Sequence, residues 1–245
     1  MNNKKIIIMG ATSGLGRRLA EDYINSGWEV GVAGRNKEML ERLRLMAPER
    51  IKSAEIDITM EDAVSRLEKL IEILGGMNVY LHCSGILTDE DKLDEVSQMK
   101  VITTNAVGFA RMISGAYRYY KRNGRGVGSG CQIAAITSIA GFRGLSELPG
   151  YSASKAFDIH YLEALRQRAD AENLHLTITD IRPGWTRTPL LTSGKRYLLE
   201  MSEERVADSI FRAIEKKRRN VVIGLRWKVL TSFQRILPSS IWSKL

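Results

Sequence analysis

The stretch Lys4-Lys5-Ile6-Ile7-Ile8-Met9-Gly10-Ala11-Thr12-Ser13-Gly14-Leu15-Gly16 decides the fold. Its first half is an unbroken apolar run rich in isoleucine, the pattern of a short strand buried on both faces in a parallel sheet. Three glycines follow at once, and then Leu19, Ala20, Tyr23 and Ile24 recur at helical spacing. A strand, a glycine turn and a helix in succession form a cradle for a pyrophosphate. Glycine lets the backbone approach closely, and the helix start presents unpaired N–H groups at the positive end of its dipole. Gly10, Thr12, Ser13, Gly14, Leu15 and Gly16 are therefore candidate cofactor-binding residues.

The pattern repeats outward from this unit. Further strands are expected over Glu29–Arg35, Ile51–Ile58, Val79–Gly85, Cys131–Ser138, His175–Ile181 and Asn220–Gly224. Helices are expected over Lys37–Met46 (capped by Asn36), Glu61–Leu74, Val96–Tyr120, Tyr151–Glu172 and Glu203–Lys217 (capped by Ser202). Alternation without repeat or linker predicts one α/β domain over residues 1–224, a doubly wound parallel sheet of seven strands. Residues 225–245 form a separate basic, amphipathic tail. The acidic segment Leu87–Asp94 and the glycine-rich segment Asn123–Gly130 read as exposed loops.

Bulk properties narrow the function classes. The chain of 245 residues is 44% apolar and 27% charged, ordinary for a soluble globular protein. No apolar run approaches the roughly 18 residues of a membrane span, and Ile6–Met9 is too short for the apolar region of a signal peptide. Cys83 and Cys131 sit in strand-like runs, which predicts two buried thiols and a cytoplasmic setting. His82, His160 and His175 lack metal-ligand spacing, so no metal is expected. No nucleic-acid-binding motif is present.

Two further features carry chemistry. Tyr151 and Lys155 stand four residues apart, so a helix brings both to one face. A phenol is a poor acid or base near neutrality, and a neighbouring cation favours its phenolate. At the tip of the second strand, Arg35 stands where an acidic residue would bind ribose hydroxyls in an NAD site. A guanidinium there suits a 2′-phosphate, which predicts NADP(H). Asp57 and Ile58 end the third strand, where the Asp57 carboxylate could accept from an adenine amino group or equally cap the next helix, and Ser138 ends the fifth, at the edge where open α/β sheets bind ligands. Phe142, Leu145, Leu148, Trp185 and Leu190 are candidates for an apolar substrate pocket, and Thr186–Tyr197 reads as a mobile lid. An Asn within a helix, such as Asn105, is by itself expected at the surface.

Taken together, Gly10-xxx-Gly14-x-Gly16, Asn105, Ser138, Tyr151-xxx-Lys155 and Pro183-Gly184 resemble the short-chain dehydrogenase/reductase family, in order and spacing, over roughly residues 5–224. The resemblance implies a Rossmann-type domain that uses NADP(H) to interconvert a carbonyl and an alcohol. It implies that Tyr151 is the general acid and base, and that Lys155 binds the nicotinamide ribose and favours the Tyr151 phenolate. Ser138 would hydrogen-bond the substrate oxygen, and Asn105 would bind a relay water. Ser84, Gly85, Pro183, Gly184 and Thr186 join the cofactor contacts. A homodimer or homotetramer is the family habit. Two departures stand out: Met9 replaces a frequent Thr, and His82-Cys83-Ser84-Gly85 replaces the usual Asn-Asn-Ala-Gly. A non-catalytic NADP(H)-binding regulator is the competing reading, against which the complete Asn, Ser, Tyr and Lys set argues.

The net charge of +9 is concentrated at the C-terminus, where residues 212–245 hold nine Lys or Arg against one Glu. Val229, Leu230, Phe233, Ile236 and Leu237 form an amphipathic stripe, with Ile241 and Trp242 beyond Pro238. The stripe suits an anionic membrane surface, where the chain would be a peripheral adaptor or enzyme, or a neighbouring subunit, or a roof over the substrate cleft. The apolar candidates favour a hydrophobic substrate such as a steroid, a 3-keto lipid or a 3-oxoacyl compound.

Overall fold

The computed structural model describes residues 4–88, 93–123, 130–191 and 199–242. The opening stretch folds as its pattern demands. β1 (Lys5–Met9) has Ile6, Ile7, Ile8 and Met9 fully buried, and α1 (Gly14–Asn25) turns Leu19, Ala20, Tyr23 and Ile24 inward. β2 (Glu29–Gly34), β3 (Ile51–Glu55), β4 (Val79–His82), β5 (Gln132–Ile136), β6 (Thr177–Pro183) and β7 (Asn220–Ile223) complete a parallel sheet. Its order is β3-β2-β1-β4-β5-β6-β7, seven strands among the described residues. Strand order reverses between β1 and β4, which leaves a crevice beyond their C-terminal ends.

Helices cover both faces. α3 (Ala63–Leu74), α5 (Phe109–Asn123) and α6 (Pro149–Ala171) pack on one face around Leu67, Leu70, Tyr80, Phe109, Met112 and Ile133. α1, α2 (Lys37–Met46) and α7 (Glu203–Glu215) pack on the other around Ile8, Leu19, Tyr23, Val32, Val206 and Ile210. Each large side chain so buried contributes roughly 1.5–3 kcal/mol. The two expected caps form: the Met39 N–H donates to Asn36 Oδ1 at 3.0 Å, and the Arg205 N–H to Ser202 Oγ at 3.4 Å.

Several boundaries differ from the sequence reading. The third strand stops at Glu55 rather than Ile58, because Asp57 Oδ1 accepts from the Thr59 N–H (2.9 Å) and hydroxyl (2.7 Å) and turns the chain. The sixth strand runs to Pro183, beyond the expected Ile181. The expected long helix over 96–120 is three pieces: α4 (Glu95–Ile102), a π-helical turn (Thr103–Gly108) and α5. Asn105 sits in that wider turn and is buried, not exposed. Gly108 explains the close packing there, since a Cβ would lie 2.8 Å from the Ile58 side chain. Cys131 is buried, while Cys83 is half-buried, and both are free. Residues 89–92 and 124–129 of the expected loops, 192–197 of the expected lid, and 243–245 of the tail lie outside the described residues.

The chain ends in α8 (Leu225–Ile236) and α9 (Ser239–Trp242). Trp227 and Thr231 face the protein, and Gly184 makes room for the Trp227 indole, which a Cβ would meet at 2.2 Å. The Arg143 side chain donates to the carbonyls of Gln234 (3.0 Å) and Leu237, filling orphan acceptors at the end of α8. Trp242 Nε1 donates to the Gly144 carbonyl at 2.9 Å.

Candidate active site

The crevice over β1 and β4 is an open cleft of about 1240 Å³, counting the solvent at its mouth. It is lined by Gly10, Thr12, Ser13, Gly14, Leu15, Gly16, Arg35, Asp57, Ile58, Ser84, Gly85, Tyr151 and Lys155, all anticipated as cofactor-binding. Its floor fits a dinucleotide because side chains are excluded from it. At Gly10 the backbone has φ +90°, and a Cβ would lie 2.7 Å from the Ser84 nitrogen. At Gly16 a Cβ would lie 2.1 Å from the Gly10 carbonyl oxygen. The α1 N-terminus is left open toward the cleft: the Ser13 side chain makes no capping bond, and N–H groups there are available to an anion.

At the outer end of the cleft, Arg35 lies 3.9 Å from Asp57 and is 65% exposed. Burial tends to raise the Asp57 carboxyl, but hydrogen bonds from Thr59 and then the Arg35 charge outweigh it and hold the group below its ordinary range.

At the inner end, α6 aligns Tyr151, Ser154, Lys155 and Asp158 on one buried face, the i, i+3, i+4, i+7 positions of a helix. Pro149 at the helix start sets the entry. Lys155 Nζ lies 5.8 Å from the centre of the Tyr151 ring. The same ammonium is 2.9 Å from Asp158 Oδ2, and both side chains are almost fully buried. Burial disfavours the ammonium, yet Asp158, then Tyr151 and Asp180, raise Lys155 above its usual value.

Asn105 acts as a clasp. Its Oδ1 accepts from the Ile86 N–H at 2.8 Å, and its Nδ2 donates to the Ile86 carbonyl at 2.8 Å and to Ser154 Oγ at 3.3 Å. This fixes Gly85, where a Cβ would stand 3.5 Å from Asn105 Oδ1 and 3.6 Å from Lys155 Nζ. His82, in place of an expected amide, is braced differently. Its Nδ1 meets the Tyr80 hydroxyl at 3.0 Å, and Phe109 stands edge-on to its ring at 5.0 Å. Burial holds this imidazole neutral, lowered to about 3.

A second cavity of about 830 Å³, counting the solvent at its mouth, adjoins the first. Its wall includes Ser138, Leu145, Tyr151, Trp185, Leu190 and Leu191. Ser138 Oγ accepts from the Ala140 N–H at 3.1 Å, which leaves its own proton to donate. Tyr151 lines both cavities. Pro183, Gly184 and Thr186, read as cofactor contacts, line this second cavity instead, and the Thr186 hydroxyl turns back to the Gly184 carbonyl at 2.9 Å.

Two of the five substrate-pocket candidates are elsewhere. The Phe142 ring packs against the Arg182 guanidinium (4.7 Å), because the 3₁₀ turn Ile139–Phe142 rotates it toward β6. Leu148 sits just ahead of α6 and packs with Leu145 and Ile86 against Val101, Ala140 and Tyr151. In their place the tail supplies Trp227, Gln234 and Trp242. Sequence reading gave a roof over the cleft as one role for the tail without naming these three as pocket residues, and it missed Asp158. An Asp one turn after Lys155 on the same face was the available signal for the latter. Among the described residues no cluster could hold a metal ion.

Comparison with known proteins agrees with this fold. The family described as short chain dehydrogenase matches residues 4–196. An uncharacterized oxidoreductase of Myxococcus xanthus is 28% identical, covering 99% of this chain and 96% of its own length. A short-chain dehydrogenase of Sphingobium yanoikuyae in complex with NADPH superposes with a TM-score of 0.78 at 19% identity, over 99% of this chain and 96% of the other. A short chain dehydrogenase/reductase of Burkholderia phymatum in complex with NAD gives 0.82 at 16% identity, over 94% and 92%. The chain belongs to the short chain dehydrogenase family and is an NAD(P)-dependent oxidoreductase of the Rossmann-type fold.

Proposed function

We propose that the protein is an NADP(H)-dependent carbonyl reductase acting on a bulky hydrophobic ketone. The observation that carries this reading is the position of Tyr151 at the junction of a dinucleotide-sized cleft and a largely apolar cavity. A bound reduced nicotinamide supplies hydride to the carbonyl carbon. Ser138 donates a hydrogen bond to the carbonyl oxygen as negative charge grows on it. The Tyr151 hydroxyl gives that oxygen a proton, and the Lys155 ammonium favours the phenolate left behind. The Asn105 amide is tied to the Ile86 backbone, and its Oδ1 keeps a second lone pair that can take the relay water between Lys155 and solvent.

Arg35 supports the NADP(H) preference: it is exposed at the cleft's outer end with only a distant carboxylate partner. The test is binding of NADPH and NADH, then cofactor oxidation with a panel of hydrophobic ketones. Tight NADPH binding with turnover is expected, and binding of neither cofactor would overturn the proposal. Arg35→Asp removes a charge-assisted contact worth about 1.5–3 kcal/mol, so NADPH affinity should drop roughly ten- to a hundredfold while NADH affinity is little changed. Equal losses would remove Arg35 from the phosphate site.

The tail supports a hydrophobic substrate. Trp227, Gln234 and Trp242 wall the substrate cavity, while Leu225 (79%), Phe233 (63%) and Ile236 (77%) face solvent. Arg226 and Lys228 flank that outward face. An apolar face with basic flanks on the cavity's own wall suits an anionic bilayer from which the substrate enters. Among the described residues no helix is long and apolar enough to cross a membrane, so the contact proposed is peripheral. Sedimentation with phosphatidylserine-containing vesicles should capture the protein and lose it in Phe233→Glu/Ile236→Glu. Identical sedimentation of both proteins would exclude this surface. The oligomer expected from the family, a dimer or tetramer, belongs to the same proposal.

A further inference from the structure

Asp158 is a buried carboxylate that the mechanism above leaves unused. Its side chain is wholly buried, Oδ2 lies 2.9 Å from Lys155 Nζ, and Oδ1 has no hydrogen-bond partner. Lys155 lines the cofactor cleft, whereas Asp158 lines neither cavity, so the carboxylate stands behind the ammonium as seen from the cleft. The 3₁₀ turn seals this side. At Gly141 a Cβ would lie 2.6 Å from the Lys155 carbonyl, so the turn rests directly on α6.

An i, i+3 ion pair is ordinary on a helix surface and worth little there. Fully buried, it is costly, and an apolar pair of the same size would serve stability as well or better. An unsatisfied oxygen adds to the cost. We propose that Asp158 is a positioning residue that acts through Lys155, keeping its ammonium charged and fixed beneath Tyr151 at the cofactor cleft. The charged groups around the pair fit this. Tyr151 shares the helix, Asp180 faces it from β6 but is engaged by Arg182 (2.8 Å) and the Thr137 hydroxyl (2.6 Å), and His82 on β4 is neutral. Asp158 is therefore the carboxylate committed to Lys155. Burial raises its carboxyl and the Lys155 charge pulls it back, leaving it at about 7, so the two groups are energetically coupled.

The inference rests on the proposed function for its consequence in catalysis, but its test does not depend on turnover. In Asp158→Asn, which keeps shape and fold contacts, the Lys155 titration is followed by NMR of 13C-labelled lysine side chains in the cofactor-free protein. It should fall by about one to three pH units. With a ketone from the panel, the alkaline limb of kcat/KM should fall by a similar amount, and Asp158→Glu should restore part of it. An unchanged Lys155 titration, with only a lower melting temperature, would overturn the inference and reduce Asp158 to a structural role. A shifted titration in a protein that binds neither cofactor would instead count against the proposed function, leaving the Asp158–Lys155 coupling established.

Discussion

Tyr151→Phe should lower kcat by about 10²–10⁴-fold, the usual contribution of a positioned general acid, while NADPH binding and melting temperature stay near wild type. The ring itself is structural: it packs against Val101 and Ala140 under Leu145 and Leu148, and phenylalanine preserves those contacts. Only the hydroxyl at the meeting of the two cavities is removed. Ser138 and Lys155 remain, so the substrate oxygen still has a donor and the cofactor still has its ammonium. The loss should therefore appear in kcat and in kcat/KM alike, which marks an interaction made in the transition state. A variant that kept wild-type rates would show that another group delivers the proton. A variant that lost cofactor binding as well would show that the hydroxyl is part of the cleft rather than of the chemistry.

How much of this was legible beforehand depended on whether local pattern or tertiary contact decided each feature. Ile6–Met9 and the three following glycines specified a buried strand and an anion-binding turn, because both are imposed by backbone sterics and periodicity. The Tyr151 and Lys155 spacing likewise placed both on one helical face. Asn105 was not legible from propensity. Its burial follows from a π turn and from the Ile86 backbone nineteen residues earlier, a contact no local pattern encodes. Phe142 and Leu148 were assigned to the pocket by proximity in sequence, but a single 3₁₀ turn rotated one toward Arg182 and packing drew the other against Tyr151. The tail's role was open between membrane, subunit and roof. The structure shows that one helix turns Trp227 into the cavity wall and Phe233 outward. Amphipathicity revealed two faces but not what each would meet.

Lys155→Met should damage stability and activity together, and its pH dependence separates the two. Removing the ammonium leaves Asp158 buried with neither oxygen paired, a loss of about 3–5 kcal/mol when the carboxyl is ionised. In the native protein that carboxyl already sits at about 7, raised by burial and held down by Lys155. Without the lysine it rises further. A carboxyl whose folded pKa exceeds its unfolded value binds more protons in the folded state, so stability is present at low pH and lost as pH rises through the folded pKa. Urea unfolding should therefore find the variant much weaker than wild type at pH 8 and closer to it at pH 5.5. Adding Asp158→Asn removes the orphan charge, so the double variant should recover most of the stability at pH 8. The two substitutions should couple by about 0.5–3 kcal/mol or more. Turnover should not recover, because no cation remains to favour the Tyr151 phenolate. A double variant as unstable as Lys155→Met alone would place the loss in the packing of the lysine stem, and the buried pair would then be incidental to the fold.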